Sequence, residues 1–176
     1  MLAVGRLVPQ KGFDLLLQAF ARSGLPPLGV RLTVLGDGPD RPQLEALVRT
    51  LGLGDAVVMP GIVPDPETWM GCSAVFVLPS RFEGFPNVLL EAMAMGCAAI
   101  AADCDSGPRE IIRHGENGLL VPPEDITALA DALYGLFTDA ALRARLGAAA
   151  LRVRERFSPQ AVIARWEQLI DQTVRN

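Results

Sequence analysis

Short apolar runs alternate with amphipathic segments along the first 125 residues of the chain. The runs are apolar on both faces, which is typical of strands in a parallel sheet that helices cover on both sides. We predict six strands of this kind: Leu2–Gly5, Arg31–Leu35, Ala56–Met59, Ala74–Leu78, Ala98–Ala101 and Leu119–Val121. The segments between them predict helices at Phe13–Ala21, Arg41–Leu51, Pro86–Met95 and Pro108–Arg113, and a short turn near Pro66–Met70. This pattern predicts an α/β fold: a three-layer αβα, Rossmann-like core with a mostly parallel six-stranded sheet, whose ligands bind beyond the carboxyl ends of the strands.

Residues 126–176 show only the spacing of apolar positions that is typical of helices. A first helix carries Ile126, Leu129, Ala130, Leu133 and Phe137 on one face. The pattern continues from Ala140 to Phe157 with Leu142, Leu146, Ala149 and Val153. Ser158 and Pro159 begin a last helix, whose apolar stripe contains Val162, Trp166, Leu169, Ile170 and Val174. We therefore predict a single domain of residues 1–176, with an α/β core at 1–125 and C-terminal helices at 126–176.

Composition narrows the class of protein. Half of the 176 residues are hydrophobic, so the chain can bury a sizeable core, and the net charge of −4 argues against a nucleic-acid partner. The three cysteines, Cys72, Cys97 and Cys104, form no CxxC motif and indicate a reducing compartment such as the cytoplasm. We find no signal peptide and no apolar run of about 18 residues. Because an apolar strand begins almost at Met1, we expect the chain to be a piece of a longer protein.

The segment from Ser80 to Gly96 carries the strongest chemical signal. Pro86 and Asn87 indicate the start of a helix, so that Glu83 lies in the preceding loop and Glu91 on the helix itself. The N–H groups of a first helical turn attract anions. The segment therefore predicts a phosphate site with a carboxylate on each side, which suits a nucleoside diphosphate that carries sugar hydroxyls at both ends.

A second candidate is the loop that leaves the first strand, Gly5-Arg-Leu-Val-Pro-Gln-Lys-Gly12. It carries two cations, Arg6 and Lys11, and no acid precedes Asp14 in the sequence. Lys11 is the only lysine in the chain, beside 15 arginines. A diphosphate could accept charge-assisted hydrogen bonds from both cations. A surface loop with solvated charges explains the pattern equally well.

Three further motifs give weaker signals. Gly36-Asp-Gly-Pro39 lacks the third glycine of a dinucleotide fingerprint and predicts a tight turn with some ligand contact. Val58-Met-Pro-Gly-Ile-Val-Pro64 could bind a base through its backbone, although a plain turn is the commoner case. Asp103-Cys-Asp105 could hold a divalent metal, but loop carboxylates without a metal are more common. The only histidine, His114, looks structural, so no Ser-His-Asp triad is expected.

Taken together, these motifs resemble the C-terminal, donor-binding domain of the GT-B glycosyltransferases of family four, also called group 1. The matching pieces are Gly5-Arg-Leu…Lys-Gly12, Gly36-x-Gly-Pro39, Pro79-Ser-Arg-Phe-Glu-Gly-Phe-Pro-Asn87, Glu91-Ala-Met-Ala-Met-Gly96, Ser106-Gly-Pro-Arg-Glu-Ile-Ile112 and Gly115-x-Asn-Gly118. They cover about the first 125 residues in the order and spacing of the family. The pair of glutamates with its flanks is highly specific, whereas the other pieces are weak alone. Asp105 departs from the pattern, because relatives often carry proline there.

The resemblance implies roles for individual residues. Arg6 and Lys11 would hold the donor diphosphate and stabilise it as it leaves, and Glu83 would face the donor sugar as nucleophile or as a positioning group. Glu91 would bind the ribose hydroxyls, and Ile62 would lie where the base meets the backbone. The backbone from Gly84 to Val88 would help to bind the phosphates and the sugar. The implied donor site comprises Gly5, Arg6, Lys11, Ile62, Glu83, Gly84, Phe85, Pro86, Asn87, Val88 and Glu91.

The resemblance also implies an activity. A member of this family transfers a sugar from a nucleoside diphosphate sugar, such as a UDP-sugar or GDP-sugar, to a hydroxyl of a glycan or lipid-linked acceptor, with retention of configuration and with no cofactor or bound metal. The N-terminal, acceptor-binding domain of such enzymes has no counterpart in this chain, which is therefore expected to be inactive alone and to expose the stripe around Trp166 and Leu169. The full-length protein would be cytoplasmic, with possible peripheral contact to a membrane. A non-catalytic nucleotide-sugar-binding module and a GT-B sugar-nucleotide epimerase remain as alternatives.

Overall fold

The computed structural model describes residues 1–174, so residues 175 and 176 of the predicted helical segment and the side chain of Val174 lie outside the described part. The six strands are β1 (Leu2–Val4), β2 (Leu32–Leu35), β3 (Val57–Gly61), β4 (Val75–Leu78), β5 (Ala98–Ala102) and β6 (Leu119–Val121). The helices within the core are α1 (Phe13–Arg22), α2 (Arg41–Thr50), α3 (Pro66–Gly71), α4 (Asn87–Ala94) and α5 (Pro108–Ile111). They are followed by α6 (Ile126–Thr138), α7 (Ala140–Ala150), α8 (Val153–Arg156) and α9 (Pro159–Val174).

All six strands form one parallel sheet in the order β3-β2-β1-β4-β5-β6. The chain builds outward from β1 in one direction as far as β3 and then returns to the other side of β1 with β4. The strand order therefore reverses between β1 and β4, and ligands of such sheets bind at that point, beyond the carboxyl ends of the strands. The α/β prediction is confirmed, and the sheet is parallel throughout.

The strands are apolar on both faces because the sheet separates two hydrophobic clusters. In β4, Val75 and Val77 belong to the cluster that also contains α1, α2 and α6, whereas Phe76 and Leu78 belong to the cluster on the other face. Successive side chains of a strand point to opposite faces, so a strand in the middle layer must be apolar at every position. The second cluster takes side chains from α3, α4 and α8, which completes the three layers.

The C-terminal helices differ from the prediction in one respect. The segment from Ala140 to Phe157 is not one continuous helix, because α7 ends at Ala150 and α8 begins at Val153. Leu146 packs in the first hydrophobic cluster, whereas Ala150 and Val153 pack in the second. Helix α7 therefore reaches both clusters before the chain turns at Leu151. Every other predicted element exists.

The last helix, α9, exposes an apolar face. The side chain of Trp166 is 62% exposed, and Leu169 and Ile170 are each more than half exposed. Together with Val162 and Ile163 they form the α9 stripe. The predicted exposure of Trp166 and Leu169 is therefore confirmed. None of the helices described in residues 1–174 combines the length and apolar character that a membrane crossing requires.

Candidate functional site

Two loops meet at the point where the strand order reverses. The β1 loop (residues 5–12) leaves the carboxyl end of β1, and the β4 loop (residues 79–86) leaves that of β4. The N–H of Arg81 donates to the carbonyl of Gln10 at 2.8 Å, and the Gln10 amide Nε2 donates to the carbonyl of Phe82 at 3.0 Å. Because these bonds cross-link the loops, residues that are 72 positions apart in the sequence become neighbours.

Lys11 and Glu83 form an ion pair between the two loops. Lys11 Nζ donates to Glu83 Oε1 at 2.6 Å, and the Ser80 hydroxyl donates to the same oxygen at 2.6 Å. The Glu83 side chain is only 7% exposed, so its charge depends on these two donors for compensation. The sequence shows no acid beside Lys11, but the fold supplies one. The ammonium group is therefore paired within the protein itself.

Arg6 is the cation that remains free. Its side chain is exposed, and it forms no ion pair with any residue between 1 and 174. Gly36 fixes the backbone next to it, because its φ of +123° is unfavourable for other residues and a Cβ there would collide with the carbonyl oxygen of Gly5. The carbonyl of Asp37 also accepts the N–H of Leu7 at 2.9 Å. The predicted tight turn lies two residues later, where the N–H of Arg41 donates to the carbonyl of Gly38 at 3.1 Å, and the segment 36–39 supports the loop that carries Arg6.

The start of α4 offers fewer backbone donors than the sequence suggests. Pro86 precedes the helix as its buried cap, and the N–H of Asn87 donates back to the carbonyl of Phe85 at 3.0 Å. The N–H groups of the next two residues after Val88 both donate to the carbonyl of Pro86. Among the described residues, the backbone N–H groups of Gly84, Phe85 and Val88 have no acceptor and remain available to an anion. The expectation of a whole first turn of free donors is therefore only partly right.

The remaining predicted donor residues lie at the surface near these loops. Glu91 lies one helical turn after Asn87, and both side chains are exposed. Within residues 1–174, the Glu91 carboxylate accepts no hydrogen bond from a protein side chain. Ile62 directly follows β3 and is 82% exposed, and the adjacent carbonyl of Gly61 accepts the N–H of Gly36 at 2.8 Å. These side chains are accessible to a ligand, although no contact between them fixes their roles.

Several supporting residues were missed by sequence reasoning. Cys104 Sγ donates to the carbonyl of Ser80 at 3.0 Å, and Ser106 Oγ donates to the carbonyl of Glu83 at 2.8 Å. Burial raises the pKa of the Cys104 thiol, and the nearby Glu83 carboxylate raises it further, so the thiol stays protonated as a donor. These residues come from the loop after β5 and lie in two of the motifs quoted above, which had been given no contact with the β4 loop. The sheet order, which places β5 beside β4, explains these contacts.

Arg81 is a further residue to which sequence reasoning gave no role. It lies within the quoted motif, between Ser80 and Phe82, and its guanidinium forms ion pairs with Asp14 and Glu124. Neither carboxylate is near Arg81 in the sequence, so no spacing rule indicates the contact.

The other sequence candidates have structural explanations. Arg109 Nε donates to Asp103 Oδ1 at 2.9 Å, so one carboxylate of the Asp103-Cys-Asp105 motif is already engaged in an ion pair. His114 Nδ1 accepts the N–H of Leu120 at 3.1 Å, which agrees with its structural interpretation. In the part of the chain that the structure describes, no group of three or more His, Cys, Asp or Glu residues is arranged to hold a metal ion.

The geometry suits a ligand with concentrated negative charge. A free guanidinium, a paired ammonium and three free N–H groups lie on the β1 loop, the β4 loop and the first turn of α4, at the carboxyl edge of the sheet. Preorganised donors of this kind stabilise negative charge that develops on a leaving group. The Glu83 carboxylate lies among them and can accept hydrogen bonds through its second oxygen, Oε2.

Comparisons with known proteins identify the fold and the family. The model of a family described as "Glycosyl transferases group 1" matches residues 1–139. An exopolysaccharide phosphotransferase of Streptomyces coelicolor is 44% identical over 171 residues, which are 96% of this chain but only 18% of that protein. The chain spans about half or less of the length of the curated relatives that it matches.

Two solved structures show the same architecture. The C-terminal domain of the group 1 glycosyl transferase LpcC from Francisella tularensis superimposes with a TM-score of 0.80 at 28% identity, covering 89% of this chain and 84% of that one. Anabaena HepE bound to UDP superimposes with a TM-score of 0.85 at 26% identity, covering 99% of this chain and 48% of that one. With the family model matching most of its length, the chain belongs to the group 1 family of glycosyl transferases.

Proposed function

We propose that this chain is the donor-binding part of a retaining glycosyltransferase, which transfers a sugar from a nucleoside diphosphate sugar to a hydroxyl of a glycan or lipid-linked acceptor. The observation that carries the proposal is the Lys11–Glu83 pair at the point of strand reversal, flanked by the free Arg6 and by the free N–H groups of the β4 loop. Family membership supports the reaction class. The UDP in the HepE structure supports a uridine nucleotide as donor.

The proposed mechanism assigns charge stabilisation to the protein alone. Arg6 and Lys11 bind the diphosphate and stabilise the charge that grows on it as the bond to the sugar breaks. Glu83 positions the donor sugar, and Glu91 binds the ribose hydroxyls. Ile62 lies against the base. Because two cations serve the leaving group, the proposal includes no bound metal and no cofactor.

The acceptor is assigned to a second domain, outside this chain. The relatives' greater length supports that proposal, since at least half of each lies beyond the matched region. We propose that this N-terminal domain covers the α9 stripe and supplies the acceptor contacts. The isolated chain then binds donor but transfers no sugar. The full-length protein would act in the cytoplasm, and a lipid-linked acceptor would bring it into peripheral contact with a membrane.

Calorimetric titration with UDP, GDP and ADP tests donor binding directly. We expect one of the three to bind, and we expect Glu91→Ala to weaken that binding by about 1.5–3 kcal/mol, the scale of a hydrogen bond to a charged group. Glu167→Ala is the matched control, since it removes another exposed helical glutamate from α9. If Glu91→Ala and the unchanged chain bind the nucleotide with equal affinity, Glu91 does not contact the nucleotide. Failure of all three nucleotides to bind would contradict the proposed function.

The α9 stripe predicts self-association of the isolated chain. Five exposed apolar side chains on one helix form a patch of the kind that marks an interaction surface. We expect sedimentation to show association that rises with protein concentration and that decreases in the double variant Trp166→Gln/Leu169→Gln. Leu28→Gln removes an exposed apolar side chain elsewhere and should leave the association unchanged. If the chain stays monomeric at high concentration, the exposed α9 stripe does not drive self-association.

A further inference from the structure

Arg81 binds three separate parts of the chain at once. Its Nη1 donates to the carbonyl of Pro9 at 2.6 Å and to Asp14 Oδ1 at 2.9 Å, and its Nη2 donates to Asp14 Oδ2 at 2.8 Å. Its Nε donates to Glu124 Oε1 at 2.9 Å. Pro9 lies in the β1 loop, Asp14 in the first turn of α1, and Glu124 in the connection between β6 and α6. One guanidinium therefore links the segments that follow β1, β4 and β6.

The contacts of residue 81 enclose the position of Lys11. The guanidinium binds the carbonyl of Pro9, and the backbone N–H of Arg81 binds the carbonyl of Gln10 at 2.8 Å. On the other side of Lys11, Asp14 makes the two-bonded ion pair. Arg81, which lies two positions before Glu83 in the β4 loop, thus fixes the path of the β1 loop through Lys11.

Arg81 has no charge left for a donor phosphate. Two carboxylates, of Asp14 and Glu124, already compensate its single positive charge. Hydrogen bonding by Arg81 lowers the pKa of Asp14, despite partial burial of that carboxyl, so the pair is fully ionised at neutral pH. The side chain is therefore suited to organise the loops and unsuited to bind the ligand itself.

Glu124 adopts an unfavourable backbone conformation to complete this network. With a φ of +59°, it is the only residue other than glycine with positive φ among those described. Such a conformation costs free energy for a residue with a side chain and persists only where the surroundings impose it. The strained residue is the one whose carboxylate reaches Arg81, so the strain and the ion pair occur together.

We propose that Arg81 is a positioning residue, which holds Lys11 against Glu83 and in reach of the donor diphosphate by bracing the loops after β1, β4 and β6. The proposal rests on the proposed function for the identity of the ligand. The bracing of the three loops by Arg81 does not depend on any ligand. Arg81 acts through Lys11, and a lysine at position 81 cannot replace it, because the four hydrogen bonds of Arg81 start from three separate nitrogens, whereas an ammonium has three N–H groups on a single nitrogen.

The first test compares Arg81→Lys with Arg143→Lys. Arg143 also donates to two backbone carbonyls, those of Leu136 and Phe137, but at the junction of α6 and α7, away from the site. We expect Arg81→Lys to weaken UDP binding roughly tenfold, on the scale of one charged hydrogen bond, and to leave the affinity for uridine unchanged. Arg143→Lys should change neither affinity. Equal losses for UDP and uridine in Arg81→Lys would overturn the proposal.

A double-mutant cycle shows whether Arg81 acts through Lys11. In a Lys11→Ala background, Arg81→Lys should cause little further loss of UDP affinity, since the group that it positions is gone. The same tenfold loss in both backgrounds would mean that Arg81 acts by another route, and the proposal would be wrong.

Hydrogen exchange tests the brace without any nucleotide. The amides of Lys11 and Arg81 donate to the carbonyls of Val8 and Gln10, and we expect both to exchange faster in Arg81→Lys than in Arg143→Lys. Unchanged exchange would refute the brace. If the unaltered chain bound no nucleoside diphosphate, the proposed function would be wrong. The exchange rates of these two amides would still test whether Arg81 braces the loops. Should Arg81→Lys not fold, Glu124→Gln, which weakens one contact only, should accelerate the same two amides to a smaller degree.

Discussion

Replacing Gly12 with alanine will destabilise the domain far more than the same replacement at Gly24. Both glycines have a left-handed backbone, with φ of +66° and +71°, so alanine costs about 1–2 kcal/mol at either position. At Gly24 nothing lies near the added Cβ, whereas at Gly12 the Cβ would collide with the carbonyl oxygen of Pro79. The backbone must move to relieve that collision. Overpacking of this kind lowers the free energy of unfolding by about 1–3 kcal/mol more.

Urea unfolding of the two variants measures this difference. We expect the midpoint to fall much further for Gly12→Ala than for Gly24→Ala, with similar slopes. Gly12 ends the β1 loop and packs against Pro79, the first residue of the β4 loop, so its displacement also separates Lys11 from Glu83. UDP binding should therefore be lost in Gly12→Ala but not in Gly24→Ala. Equal midpoints would show that the loops can move apart at little cost, and that the close approach of Gly12 to Pro79 is dispensable.

Lys11→Ala and Glu83→Gln will change nucleotide affinity in opposite directions. Lys11→Ala removes a cation from the phosphate site and should weaken UDP binding by about 1.5–3 kcal/mol. Glu83→Gln removes the carboxylate that pairs with Lys11. The ammonium is then free for the diphosphate, and a nearby negative charge is gone, so UDP should bind more tightly by about 0.5–1 kcal/mol.

Titration with UDP and with uridine separates the contributions. Uridine carries no phosphate, so both variants should bind it like the unaltered chain. In the full-length protein, Glu83→Gln should lose sugar transfer although it binds UDP more tightly, because the carboxylate proposed to position the sugar is gone and tighter binding of UDP does not lower the barrier. Weaker UDP binding in both variants would mean that Glu83 supports the phosphate site, and its role beside the sugar would need to be abandoned.

The sheet could be predicted from the sequence because strands that are buried on both faces are apolar at every position. Val75 to Leu78 are apolar at every position, since alternate side chains enter different cores. The helix from Ala140 was harder, because nothing in its apolar spacing marks the turn at Leu151.

The sequence could predict the two motifs of the site but not the ion pair that joins them. Lys11 and Glu83 each stood out by type and context, but the contact between them depends on β4 returning to the side of β1. The ion pairs of Arg81 depend on the same return and on the distant Glu124. The family resemblance supplied roles for single residues, whereas the mutual compensation of their charges required the structure.

The aromatic contact between Phe85 and Phe157, with ring centroids 5.7 Å apart, joins the β4 loop to the short connection between α8 and α9. A neighbouring domain that docks on α9 and shifts it would push or pull on the ring of Phe85. Under the proposed function, docking of a second domain on α9 would therefore reach the free N–H groups of Gly84 and Phe85, and domain docking and nucleotide binding would be coupled.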